Sequence, residues 1–265
     1  MIRELSIVLP VINEKDNLEI LIPELLNICG LMKIGCEVIV VDDGSTDGTD
    51  LFIEKRFASD HRVVRIDRSH LPKSLPGSLN DGFKMAKYLH VLWMDADGSM
   101  PANTLNSMVD AFNLVTKESN LVVVGSRFVE GGGFKGTNSS GKTNIFEARR
   151  NLRATNDSFT AMVLSRMLNY YLYFALHRCC KDPASGFILT SRETVSTFKL
   201  AGSYGDYCPR FLFQVSKLGG EIIEIPYICI PRQHGESKTG SNLFQLLKRG
   251  LPYVWMPVRI RFLRK

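Results

Sequence analysis

Five short runs rich in branched apolar residues punctuate the first half of the chain: SIVLPVI (6–12), CEVIVVDD (36–43), VVRIDR (63–68), HVLWM (90–94) and LVVVGSRF (121–128). The segments between them, 13–29, 46–59, 78–89 and 103–116, carry apolar residues at helical spacing instead. Short apolar strands that alternate with amphipathic helices pair in parallel and are covered on both faces. The pattern predicts an α/β fold built on a mostly parallel sheet, and 265 residues suffice to bury a full core.

HVLWMDADGS (90–99) sets the functional question, because an apolar run finishes on Asp95 and Asp97. A carboxylate is costly to bury unpaired, so the strand should end at Met94 with both acids on its exit loop. Open α/β sheets hold their ligands at that edge. Two residues apart in an extended segment, the acids share a side and repel unless a cation lies between them. Hard oxygen donors without His or Cys nearby favour Mg²⁺ or Mn²⁺. The first strand runs out similarly into Pro10, Asn13 and Glu14, and the second into Asp42 and Asp43 followed by GSTDGT. Asp47 reads as a turn or cap residue, whereas Asp42 or Asp43 can face the crevice and accept hydrogen bonds from a base N–H or a ribose hydroxyl.

The net charge of +6 and pI near 9.0 fit an acidic partner, such as a phosphorylated substrate, anionic lipid or nucleic acid, or simply a solvated basic surface. Six cysteines show neither CxxC pairing nor zinc spacing, so reduced thiols and a cytoplasmic setting are expected. No signal-like segment precedes the first strand, and no apolar run reaches the roughly 18 residues that suggest a transmembrane helix. Residues 131–141, GGGFKGTNSSG, predict a flexible loop, either linker or lid. A long apolar helical stretch follows from Asn151 to His177.

PVINE, VVDDGSTDGT, MDADGSMP, GSRFVEGG, DPASGF and RQHGESK, in this order over residues 4–240, resemble family 2 glycosyltransferases with the GT-A fold. Within that family the similarity is strongest to the dolichol-phosphate and polyprenol-phosphate mannose synthases. The resemblance implies a GT-A domain over residues 1–240. It implies inverting transfer of a hexose from GDP-mannose or a UDP-sugar to a polyprenyl phosphate, at the cytoplasmic face of a membrane and with no nucleic acid partner. Pro10, Asn13, Glu14 and one of Asp42 or Asp43 would line the nucleotide pocket. Asp95 and Asp97 would hold Mg²⁺ or Mn²⁺ on the diphosphate, with Ser99 a weaker neutral ligand. Arg127, Arg232 and Lys238 stand where the family keeps basic residues, and Arg150, Ser165 and Arg166 resemble its Arg and Ser-Arg positions. Against phosphate binding at Arg127 stands a salt bridge capping the sheet. Asp182 is placed either to bind sugar hydroxyls or to form a turn. SLPGS (74–78) departs from the family's Gly-x-Gly, which leaves base identity open.

A phosphate acceptor is ionised at neutral pH and needs no general base, whereas a saccharide hydroxyl does. Asp206 is the nearest acid to the family's Gln-x-Glu region, and three roles fit it: base, sugar-orienting group or loop residue. Transfer to a saccharide hydroxyl and a non-catalytic nucleotide-sugar-binding protein are the rival readings. Residues 241–265 combine Tyr253 and Trp255 with Lys248, Arg249, Arg259, Arg261, Arg264 and Lys265, which suits a membrane surface or packing back onto the domain. Pro252 and Pro257 argue against one straight helix there.

Overall fold

Every apolar run of the first half forms a strand in the computed structural model, which describes residues 1–115, 120–133, 159–230, 232 and 243–262. Strand β1 (Glu4–Val11) leads to helix α1 (Lys15–Leu31), β2 (Gly35–Asp42) to α2 (Thr49–Arg56), β3 (Val63–Asp67) to α3 (Leu75–Met85) and β4 (His90–Trp93) to α4 (Thr104–Leu114). There follow β5 (Val122–Ser126), α5 (Phe159–Ala175), β6 (Ile188–Ser191), α6 (Arg192–Thr197), α7 (Tyr207–Lys217), β7 (Ile222–Pro226) and α8 (Leu243–Phe262).

The strands make one sheet in the order β3-β2-β1-β4-β6-β5-β7. β1 to β4 pair in parallel, as do β5 and β7, while β6 runs antiparallel between β4 and β5. Alternation along the strands divides the core between the two faces. Leu5, Ile7, Leu9, Val38, Val40 and Leu92 pack with α1 and α4, whereas Val8, Ile39, Val41, Val91 and Trp93 pack with α3 and α7. α3 approaches so closely that a Cβ on Gly82 would lie 2.4 Å from Val8 Cγ1, which only glycine tolerates.

Two local expectations give way. α3 spans Leu75–Met85 where 78–89 is expected: the Ser74 hydroxyl accepts from Gly77 N–H at 3.1 Å, and Pro76 sits in the first turn, where its missing N–H costs nothing. The chain also stays helical through Pro252 and Pro257. Tertiary contacts hold that segment: α8 lies on α5 and α7, Met256 is buried with Leu172, Leu176 and Phe213, and Tyr171 Oη donates to the Val254 carbonyl at 3.0 Å. Of the glycine-rich stretch, Gly133 is anchored, donating to Tyr227 O at 3.0 Å and accepting from Cys229 N at 2.9 Å; residues 134–141 lie outside those described.

Candidate active site

The parallel strands deliver their carboxyl ends to one edge, and the sheet order turns outward in both directions from β1 and β4. This is the switch point at which ligands bind between loops. The exits of β1 and β2 are stitched together there. Asn13, at φ 53°, accepts from Thr46 N–H at 2.7 Å, its own N–H donates to Ser45 Oγ at 2.9 Å, and Lys15 N–H donates to Asp47 at 3.1 Å. Pro10 lies just inside the same edge, paired with Val41.

Asp42 and Asp43 are both buried and both met by arginines of β3 and its exit. Asp42 accepts from Ser45 N–H at 2.8 Å and Arg65 Nη1 at 3.3 Å. Asp43 takes Arg68 Nη1 and, at 2.7 Å, the Ser74 N–H. Arg68, itself buried, also donates to Asp81 at 2.9 Å and Ser78 Oγ at 3.0 Å. These arginines were missed in the sequence, although cations inside a strand next to one ending in paired acids are a readable signal.

After β4, Asp97 accepts from Ser99 N–H at 2.9 Å through one oxygen and from Arg232 Nη2 at 2.8 Å through the other. The same guanidinium donates through Nη1 to Glu14 at 3.1 Å, and Glu14 also accepts from Asn17 Nδ2 at 2.7 Å. Asp95 is surrounded by protein atoms but keeps one edge open to solvent. Burial, and next the neighbouring Asp97 charge, push its carboxyl up to about 7, with Arg232 and Arg127 pulling the other way.

That electrostatic cost is the condition a divalent cation relieves, so Asp95, Asp97 and the buried Ser99 fit one. Among the described residues no group of three or more His, Cys, Asp or Glu side chains forms a closed metal cage. Two carboxylates leave positions for ligand oxygens, the usual way Mg²⁺ is held on phosphates. Binding should therefore displace a proton from Asp95. In a titration from roughly pH 5.5 to 8.5, Mn²⁺ affinity is expected to fall about tenfold per pH unit below 7 and to level off above it.

Arg127 and Asp182 meet each other. The arginine donates to Asp182 through its backbone N–H at 2.9 Å, Nε at 2.7 Å and Nη2 at 2.7 Å. Burial opposes the guanidinium's charge, but the Asp182 carboxylate keeps it protonated well above its ordinary range. Asp206, buried before α7, accepts from the N–H groups of Ser203 and Tyr204, both at 2.9 Å. Tyr253 of α8 packs over this loop, where a Cβ on Gly205 would meet its hydroxyl at 1.8 Å. Ser165 and Arg166 lie on α5, the arginine in solvent, so no burial cost requires it to meet an anion. Arg150 and Lys238 lie outside the described residues.

Comparisons with known proteins bear on the family and the fold. The family model described as glycosyl transferase family 2 matches residues 6–174. The dolichol-phosphate mannosyltransferase of Pyrococcus furiosus is 27% identical over 250 residues, covering 92% of this chain, and the chain spans 62% of that relative's length. The polyprenol monophosphomannose synthase of Mycolicibacterium smegmatis is 26% identical over 246 residues, covering 89% of this chain and 82% of the relative. The crystal structure of glucosyl-3-phosphoglycerate synthase from Mycobacterium tuberculosis, with Mn²⁺, UDP and glucosyl-3-phosphoglycerate, superposes with a TM-score of 0.58 at 19% identity. The match covers 96% of this chain and 80% of that one, and establishes a shared GT-A fold. Since the family model spans well over half of its residues, this chain belongs to glycosyl transferase family 2.

Proposed function

We propose that the protein is a metal-dependent, inverting hexosyltransferase that moves a sugar from a nucleoside diphosphate to a polyprenyl phosphate at the cytoplasmic face of a membrane. The observation that carries the choice of acceptor is the exposed apolar face of α5 and α8, which lies beside cations. A lipid phosphate is already ionised and needs no general base. The names of the Pyrococcus and Mycolicibacterium relatives support the same class of acceptor.

α5 exposes Met167, Tyr170 and Phe174, and α8 exposes Leu251, Val254 and Trp255. Neither helix contains an Asp or Glu; Arg166 and Arg259 are exposed on them, and Arg178 just beyond the end of α5. Among the described residues no helix is long and apolar enough to cross a membrane. Apolar stripes with exposed cations beside them suit an anionic lipid interface, where aromatic rings and basic groups lie flat.

In this reading the exits of β1 and β2 hold the nucleotide, through Pro10, Asn13, Glu14 and one of Asp42 or Asp43. Asp95, Asp97 and Ser99 would hold Mg²⁺ or Mn²⁺, which when bound supplies positive charge against the departing diphosphate. Arg232 adds a guanidinium on the same side, able to meet phosphate oxygens in a forked geometry. The lipid phosphate attacks the anomeric carbon from the opposite face, which inverts it. Product analysis with GDP-mannose, UDP-glucose and UDP-GlcNAc, each offered polyprenyl phosphate or an oligosaccharide, tests the proposal. A phosphate-linked, inverted glycolipid is expected from one donor; product on the oligosaccharide alone, or on neither acceptor, overturns it.

A further inference from the structure

Arg232 joins two acids that lie on different strand exits and far apart in sequence. Its guanidinium donates to Asp97 at 2.8 Å and to Glu14 at 3.1 Å, and its side chain is only 17% exposed. The segment carrying it is tied to the same turn, since Ile230 N–H donates to Ser99 O at 3.0 Å. The cation therefore sits on a carboxylate fitted to hold a metal ion. Arg232 takes one Asp97 oxygen and Ser99 N–H the other, so a cation approaching the remaining lone pairs meets the guanidinium's charge 2.8 Å from the oxygen it would bind.

We propose that Arg232 is a molecular latch: in the ligand-free protein its guanidinium holds Asp97 closed to divalent cations, and the donor's diphosphate draws it away. The chemistry makes the exchange favourable. A guanidinium forked between two carboxylates satisfies them in a cleft that would otherwise concentrate negative charge. A diphosphate offers the same fork more charge and equivalent geometry, and when Arg232 turns to it, Asp97 is freed next to phosphate oxygens that complete a coordination shell. Cation and nucleotide then bind with positive coupling that passes through this one side chain, and by linkage each raises the other's affinity by the same factor.

The inference rests on the diphosphate reading of the cleft but needs neither sugar nor acceptor to test. Mn²⁺ binding is measured by titration with and without saturating GDP or UDP, in the wild-type chain and in Arg232→Gln, whose amide can still donate to Glu14. The wild type is expected to bind Mn²⁺ weakly alone and at least about tenfold more tightly with the nucleotide. Arg232→Gln should bind Mn²⁺ alone about tenfold more tightly than wild type and lose most of the gain from nucleotide. Arg232→Lys, which keeps the charge but not the fork, should fall between the two. If Arg232→Gln leaves the affinity for Mn²⁺ alone unchanged or lower, the latch is wrong. If the variant tightens Mn²⁺ equally with and without nucleotide, Arg232 acts as a fixed repulsive charge and the latch is again wrong. Failure of the wild type to bind Mn²⁺ even with GDP or UDP would instead remove the diphosphate reading itself.

Discussion

Asp97→Ala is expected to lower the rate of sugar transfer by about a thousandfold with little change in thermal stability. The side chain is 13% exposed at the cleft, and its contacts are polar, to Ser99 N–H and Arg232. Removing it opens no apolar cavity, so the fold has little to lose. Transfer has much to lose, because charge develops on the diphosphate where Asp97 and Asp95 would fix the cation, and a single preorganised group of this kind supplies about two to three orders of magnitude. Steady-state transfer rates alongside a thermal melt check both halves. A loss smaller than about tenfold would mean that the pair does not hold the charge that matters.

The second large effect concerns stability. Asp182 is fully buried, and Arg127 is its cation, reaching it through two side-chain nitrogens at 2.7 Å. Arg127→Met would strand that carboxylate with only a backbone N–H in place of the fork. Breaking one side of a buried pair costs about 3–5 kcal/mol, far more than an exposed pair would, because the remaining charge loses its compensation. For a domain of this size that corresponds to a fall in melting temperature of roughly 10 °C. The double variant Arg127→Met, Asp182→Leu should recover a good part of the loss, since replacing both members of a buried pair with apolar groups is often close to neutral. If the single variant melted like wild type, the pair would be structurally idle, and a direct phosphate role for Arg127 would gain weight.

How much of this was legible depends on how local the cause is. The alternation of apolar strands and helices in residues 4–126 is a local pattern, and the order of elements follows it closely. Asp95, Asp97, Asn13, Glu14 and Asp42 could be gathered from sequence because parallel strands put their carboxyl ends on one edge. Ser74 with Pro76 is a local helix-start signal, a capping hydroxyl followed by a proline in the first turn. The antiparallel setting of β6 was not readable, since it depends on partners on β4 and β5 far away in the chain. Nor was the bond from Arg232 to Asp97, which spans 135 positions, or the continuity of α8, where packing on α5 outweighs two prolines. For Arg127 the salt bridge that caps the sheet is the alternative realised, but its partner, Asp182, follows only from the way the chain returns.

That return has a wider consequence. Because β6 runs against its neighbours, the chain leaves the ligand edge at the end of β5 and re-enters at the same edge at the start of β6, with Arg127 and Asp182 clasping the two ends across 55 positions. The pair thus draws the mouth of the connection shut like a drawstring, at the point where both of its ends meet the sheet. A change of length between Phe128 and Lys181 can be absorbed there without shifting the register of β5 against β6.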